Sequence, residues 1–187
     1  MPLDEKKIKQ LVYFPLDKLA IENNEFKVKQ AIRSTLTQAL MQGWSIPKTA
    51  EKIKANLEDN ANNAVRIART EILRANSIAR YDSMQHAVSM GLITKKTWDA
   101  TKDTRTRESH ATIDGETVVF NEPFSNGLLF PRDPAGPPEE VINCRCELIP
   151  DIGGLDITQE KTRIRNEGIV PYKTYDEWYK NRVIASN

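Results

Sequence analysis

Cysteine and histidine are both scarce, with two of each in 187 residues. So few thiols exclude a disulfide-rich scaffold. Cys144 and Cys146 are separated by a single residue, and a bridge across that spacing would close a tight, strained ring. They read instead as reduced thiols or metal ligands. An excess of one charge is also missing: 27 Lys and Arg face 26 Asp and Glu, for a net charge of +1. That balance excludes a strong polyanion-binding signature for the molecule as a whole. No apolar run approaches the length of a membrane span, and no membrane partner is expected. The opening Met1-Pro2-Leu3-Asp4-Glu5-Lys6-Lys7 has no apolar core of the signal-peptide kind. Hydrophobic residues make up 39%, enough for a modest core in one domain plus appendages.

Charge is uneven along the chain. Residues 1–93 carry 14 Lys and Arg against 10 Asp and Glu, and residues 94–187 carry 13 against 16. A contact with double-stranded DNA is therefore expected from the first half. Residues 1–22 read as an N-terminal arm, with the apolar patch Leu11-Val12-Tyr13-Phe14 as a docking segment. A helical period runs through Phe26, Ala31, Ile32, Leu36, Ala39 and Leu40, capped by Asn23 or Asn24 and ended by Gly43. Ser45-Ile46-Pro47 opens a second helix whose stripe is Ile46, Ala50, Ile53 and Leu57. Asp59 or Asn60 opens a third, longer one that runs to Gly91. Arg66, Arg69, Arg74 and Arg80 lie on it. They read either as a solvated face paired with Glu71 and Asp82 or as a DNA or partner contact.

After Gly91 the pattern changes. Residues 97–101 and 117–120 alternate as strands, with Asp114-Gly115 as a hairpin turn between them. Residues 121–140 form a Pro- and Gly-rich loop. Residues 144–149 read as a third strand stopped by Pro150, which places Cys144 and Cys146 on one face. Helical residues 23–93, a β module over 94–150 and a tail over 151–187 with a helix from Tyr175 to Val183 make an α+β fold.

Two clusters can carry chemistry: Asp103-Thr104-Arg105-Thr106-Arg107-Glu108-Ser109-His110, and Asn143-Cys144-Arg145-Cys146. One reading is an ion-pair network of Arg105 and Arg107 with Asp114, Glu116, Glu139 or Glu140, and Asp103 holding its own turn. A second is a zinc site with Cys144, Cys146 and His110 as ligands and Asp103, Asp114 or Glu140 as the fourth. A third is a nucleic-acid-acting or nucleotide-modifying, toxin-like enzyme using His110 as acid or base and Arg105 and Arg107 to hold a phosphate. The other histidine, His86, falls in the long helix, which argues against a two-histidine mechanism.

Between about Ala31 and Pro150 the chain resembles the phage Mu F-like minor head proteins, also called phage head morphogenesis proteins. The resemblance rests on the order of Gln42-Gly43-Trp44-Ser45-Ile46, Ala68-Arg69-Thr70-Glu71, Trp98, Asp103 to Arg107, His110, Asp114-Gly115, Phe130-Pro131-Arg132-Asp133-Pro134 and Asn143-Cys144-Arg145-Cys146. It implies a non-enzymatic component of the virion at the capsid interior, with portal or major capsid protein as partner, acting in head assembly and DNA ejection. Many members carry a Cys-x-x-Cys where Arg107 and His110 stand here, and a further His near the position of Glu140. In those members the set looks like a zinc site. Here an arginine, carboxylate and histidine network can take over as the staple. Members are usually longer at the N terminus, and some are fused to toxin domains.

Overall fold

The computed structural model describes residues 26–55, 61–92, 95–151, 161–164 and 168–184. The arm over 1–22, the patch at Leu11–Phe14, the expected caps at Asn23, Asn24, Asp59 and Asn60, and Leu57 lie outside them. Six helices and five strands appear among the described residues. The helices are α1 (Phe26–Gln42), α2 (Ile46–Lys54), α3 (Ala61–Ser89), α4 (Glu108–Thr112), α5 (Pro138–Val141) and α6 (Tyr175–Ile184). The strands are β1 (Lys95–Asp99), β2 (Thr117–Val119), β3 (Glu147–Asp151), β4 (Lys161–Ile164) and β5 (Gly168–Pro171). The architecture is α+β, with helices in the first half, a small antiparallel sheet after them and a helix near the end. None of the described helices is long and apolar enough to cross a membrane.

The described residues form two compact units. One takes those up to Ile78 together with Arg132–Asn143; the other takes Ala79–Pro131 and those from Cys144 onward. In the first unit the helical period does what the sequence requires. Ile32 and Leu36 of α1, Ala50 and Ile53 of α2, and Ala64, Ile67 and Ala68 of α3 form one buried cluster, with Ile142 packed against it. Gly43 closes α1 at φ +62, and the Trp44 amide donates back to the Ala39 carbonyl at 2.9 Å. This is a left-handed helix stop that a β-carbon would disfavour. Ser45 caps α2, its side chain accepting from the Lys48 amide, and Pro47 sits in the first turn. The loop at Arg132 is buried in this unit. Its guanidinium is fully enclosed and donates through Nη2 to Ser77 Oγ at 2.6 Å.

In the second unit β1 lies between β2 and β3, antiparallel to both. Thr97 is opposite Thr117 and Ile149, and Trp98 is opposite Leu148. Lys96 is buried with its ammonium 5.2 to 5.5 Å from the rings of Tyr81, Phe120 and Phe124, an aromatic surround that suits a cation.

Three expectations need correction. β1 covers Lys95–Asp99 rather than 97–101, and β3 covers Glu147–Asp151 rather than 144–149, so that it leaves Cys144 and Cys146 outside and runs through Pro150 instead of stopping there. As β3 pairs, among the described residues, only with β1, Pro150 sits on an edge strand, where a missing N–H costs no ladder bond. Asp114-Gly115 turns the chain, with Gly115 at φ +82, but does not directly join two strands. The one-turn helix α4 lies between β1 and that turn. The tail also holds the β4–β5 pair, which the sequence pattern did not indicate.

Candidate metal centre

His110 sits in α4, whose five residues make barely more than one turn. Cys144 and Cys146 lie just before β3, and backbone alternation buries both while Arg145 between them stays part-exposed. All three side chains are at most 2% exposed. Nδ1 of His110 is 3.7 Å from Sγ of Cys144 and 3.4 Å from Sγ of Cys146. The three ligand atoms lie within 4.8 Å of one another, and among the described residues this is the cluster able to hold a metal ion. No disulfide joins the cysteines.

The fit to zinc follows from the donor set. A tetrahedral ion with zinc–sulfur and zinc–nitrogen bonds of ordinary length sets the sulfur–nitrogen edge at about 3.6 Å. The two observed separations bracket that value. Two thiolates and an imidazole are the ligand types zinc prefers. The Cys146 thiol is pushed well up by the neighbouring Cys144 and by burial, so metal binding here releases protons. The ring of Trp98 meets the imidazole edge-on, 5.1 Å between centroids, and Trp98 is itself fully buried against Phe124. That wall fixes the imidazole plane and keeps water out.

Two carboxylates hold the loop that carries the cluster: Asp103, part-exposed, and Asp114, whose side chain is buried. Asp103, expected as a fourth ligand or a turn former, grips Arg145 with both oxygens, one bond measuring 2.8 Å. It also accepts the Arg105 amide at 2.9 Å. The paired bonds from Arg145 hold its carboxyl well below the usual carboxylate range, against a smaller upward push from burial. The same pairing raises Arg145. Asp114 accepts the Ala100 amide at 2.5 Å, the Tyr175 amide at 2.5 Å and the Lys102 ammonium at 3.0 Å. Burial pushes its carboxyl up, with Lys102 and the two amides pulling the other way. Lys102 also pairs with Asp99 at 2.5 Å and lies 5.0 Å from the Tyr172 ring centre.

The expected ion-pair network is thus rearranged. Asp114 takes Lys102 rather than an arginine, and Asp103 takes Arg145 first. The Arg105 guanidinium is 62% exposed and reaches Asp103 only at 3.5 Å. Arg107 stands part-exposed at the start of α4, and Glu140 belongs to α5 in the other unit. Neither joins the metal-capable cluster. The arginines of α3 divide as well. Arg74 is buried in an ion pair with Glu71 and offers no charge to a surface. Arg80 is exposed but donates to the Leu148 carbonyl and pairs with Glu147 at 3.5 Å. Arg66 and Arg69 are part-exposed. Sequence reasoning missed Lys102, Arg145 and Tyr175 as site residues. Arg145 was legible as the odd position between two inward cysteines; Tyr175 carried no local signal.

Comparison with known proteins assigns the class. The family model described as Phage Mu protein F like protein matches residues 30–149, and the chain belongs to that family. The chain is 30% identical over 184 residues to a protein of Enterococcus faecalis named NAD(+)--arginine ADP-ribosyltransferase EFV. It is 26% identical over 167 residues to the minor head protein GP7 of Bacillus phage SPP1. A third relative, the uncharacterized protein YqbB of Bacillus subtilis, is 30% identical over 149 residues. These matches cover 97%, 87% and 74% of this chain, but only 36%, 54% and 48% of the relatives. The chain therefore spans between about a third and a half of the curated proteins it matches. No solved structure matches it.

Proposed function

We propose that the chain is the minor head module of a tailed phage or prophage. It resides in the virion at the capsid interior and docks on portal or major capsid protein during head assembly and DNA ejection. Within it the cluster of His110, Cys144 and Cys146 is a structural zinc staple, closed around by the Asp103–Arg145 and Asp114–Lys102 pairs. Zinc there would be held by His110, Cys144 and Cys146 and would supply cross-linking free energy, joining α4 to the segment before β3. The observation that carries this reading is burial. His110 is 1% exposed behind Trp98, whereas an acid or base must reach a substrate. Family membership and the GP7 relative support the head-protein role.

The test is co-sedimentation with assembled portal, together with metal analysis of the purified chain. Binding to portal and about one zinc per chain are expected; a monomer indifferent to portal and capsid would sink the docking role. DNA contact from Arg66 and Arg69 is expected to show as affinity that falls steeply with salt, and a flat isotherm removes it.

A second reading, a nucleotide-modifying or nucleic-acid-acting enzyme, is favoured by one observation, the ADP-ribosyltransferase name of the Enterococcus relative. It predicts transferase or cleavage activity in this chain that His110→Ala and Arg105→Ala abolish while the fold persists.

A further inference from the structure

α6 packs against α4, the one-turn helix that carries His110. The first residue of α6 is tied twice to the loop framing the metal-capable cluster. The Tyr175 amide donates to Asp114 Oδ2 at 2.5 Å, and its hydroxyl donates to the Asp103 carbonyl at 3.1 Å. The segment before it lies on the Asp114-Gly115 turn, so that a β-carbon at Gly115 would meet Thr174 at 3.6 Å and the Tyr172 hydroxyl at 3.8 Å. Trp178, one turn into α6, is 3% exposed, with Tyr175 5.4 Å from its ring and Arg182 5.4 Å from it.

Neither helix is stable by itself. A ten-residue helix is too short to persist alone in water. α4 is shorter still, and its N-cap position, Arg107, makes no side-chain capping bond. Each supplies the other's missing support. A metal on His110, Cys144 and Cys146 would anchor α4 to the segment before β3 and so present α6 with a fixed platform.

We propose that the C-terminal segment from Tyr172 to Ile184 is a strap over the metal-bearing loop, and that strap docking and metal binding are thermodynamically coupled. The inference rests on the zinc reading of the cluster. Coupling is reciprocal in free energy: whatever factor zinc gains for strap docking, the docked strap returns to zinc affinity. Release of the strap, by a partner that takes Trp178 for itself, would then loosen the metal centre without touching a ligand.

Hydrogen exchange on the full chain tests this, with zinc alone as the probe. Peptides covering 174–184 are expected to exchange about 5-fold or more slowly with zinc than after chelation. Trp178→Ala should weaken zinc affinity, measured by competition with a chromogenic chelator, by that same factor. Tyr175→Phe, which removes only the bond to the Asp103 carbonyl, should act in the same direction more weakly. Lys180→Ala, on the exposed side of α6, should change neither. Exchange in β1 and β3, which belong to the same unit as the cluster and α6, reports that each variant remains folded. Zinc bound in stoichiometric amount with unchanged exchange over 174–184 overturns the coupling and leaves the staple intact. Absence of zinc binding overturns the staple and the strap together.

Discussion

Sγ of Cys146 lies 3.4 Å from Nδ1 of His110, a residue 36 positions earlier in the chain. Neither residue is specific alone; the separation between them, with Cys144 at 3.7 Å, is what makes a metal-sized cluster. Cys146→Ser or His110→Ala should lower zinc affinity by at least about 100-fold, since loss of outer-shell partners alone costs 10- to 100-fold. Competition with a chromogenic chelator measures it. In the parent chain a chelator should lower the melting temperature, and in either variant that difference should vanish. A chelator effect of equal size in parent and variants would place the metal elsewhere.

Trp98 is fully buried between His110 and Phe124. Trp98→Ala should cost about 3–5 kcal/mol, the range for emptying a large aromatic site. Urea denaturation reads this directly. Zinc affinity should fall with it, because the imidazole loses the wall that fixes its plane.

The Asp103–Arg145 pair should show in acid. Asp103 has its carboxyl depressed in the folded chain. Its contribution is therefore present above the unfolded carboxylate value, near 3.9, and lost as pH falls through the lower folded value. Asp114 has the opposite sign. Its carboxyl is raised by burial, so its contribution is present below the unfolded value and lost as pH rises through the folded one. Asp103→Asn should cost about 2 kcal/mol near neutrality, the scale of a charged hydrogen bond. It should also flatten the decline in stability below about pH 4. Unfolding free energies across pH, in parent and variant, decide it; parallel curves would remove Asp103 as the acid-sensitive group.

Arg74 and Arg69 differ by five positions on α3 and should behave differently. Arg74→Ala leaves the buried Glu71 carboxylate without its cation, in a place where burial already pushes that carboxyl up. The expected loss is about 3–5 kcal/mol. Arg69→Ala, at a part-exposed site, should stay within about 0.5 kcal/mol. Equal melting temperatures for the two variants would contradict the buried pair.

How much of this was legible depended on whether the signal was local. The stripe of Ile32, Leu36, Ile53 and Ala68 announced helices because burial on one face imposes a helical period. Gly43 and Ser45 marked a stop and a start through backbone chemistry confined to neighbouring residues. β4 and β5 were missed because Lys161–Ile164 and Gly168–Pro171 are four residues each, too short for a period to emerge. α4 was missed for the same reason. The arginines on α3 were indistinguishable as letters, and only packing separates buried Arg74 from exposed Arg80.

By itself the sequence determined the α+β order of elements, the family to which the chain belongs and the short list of metal-capable residues. The order of elements and the ligand list follow from periodicity, capping chemistry and residue type, which act over a few neighbouring positions; the family follows from a resemblance in the order of motifs along residues 30–149. Tertiary structure alone decided that His110 meets both cysteines, that Asp103 is taken by Arg145, and that Tyr175 reaches back to Asp114. These are pairings across 36, 42 and 61 positions. What selects them is the cost of leaving a desolvated polar or charged group without its partner, and no local pattern records which partner that will be.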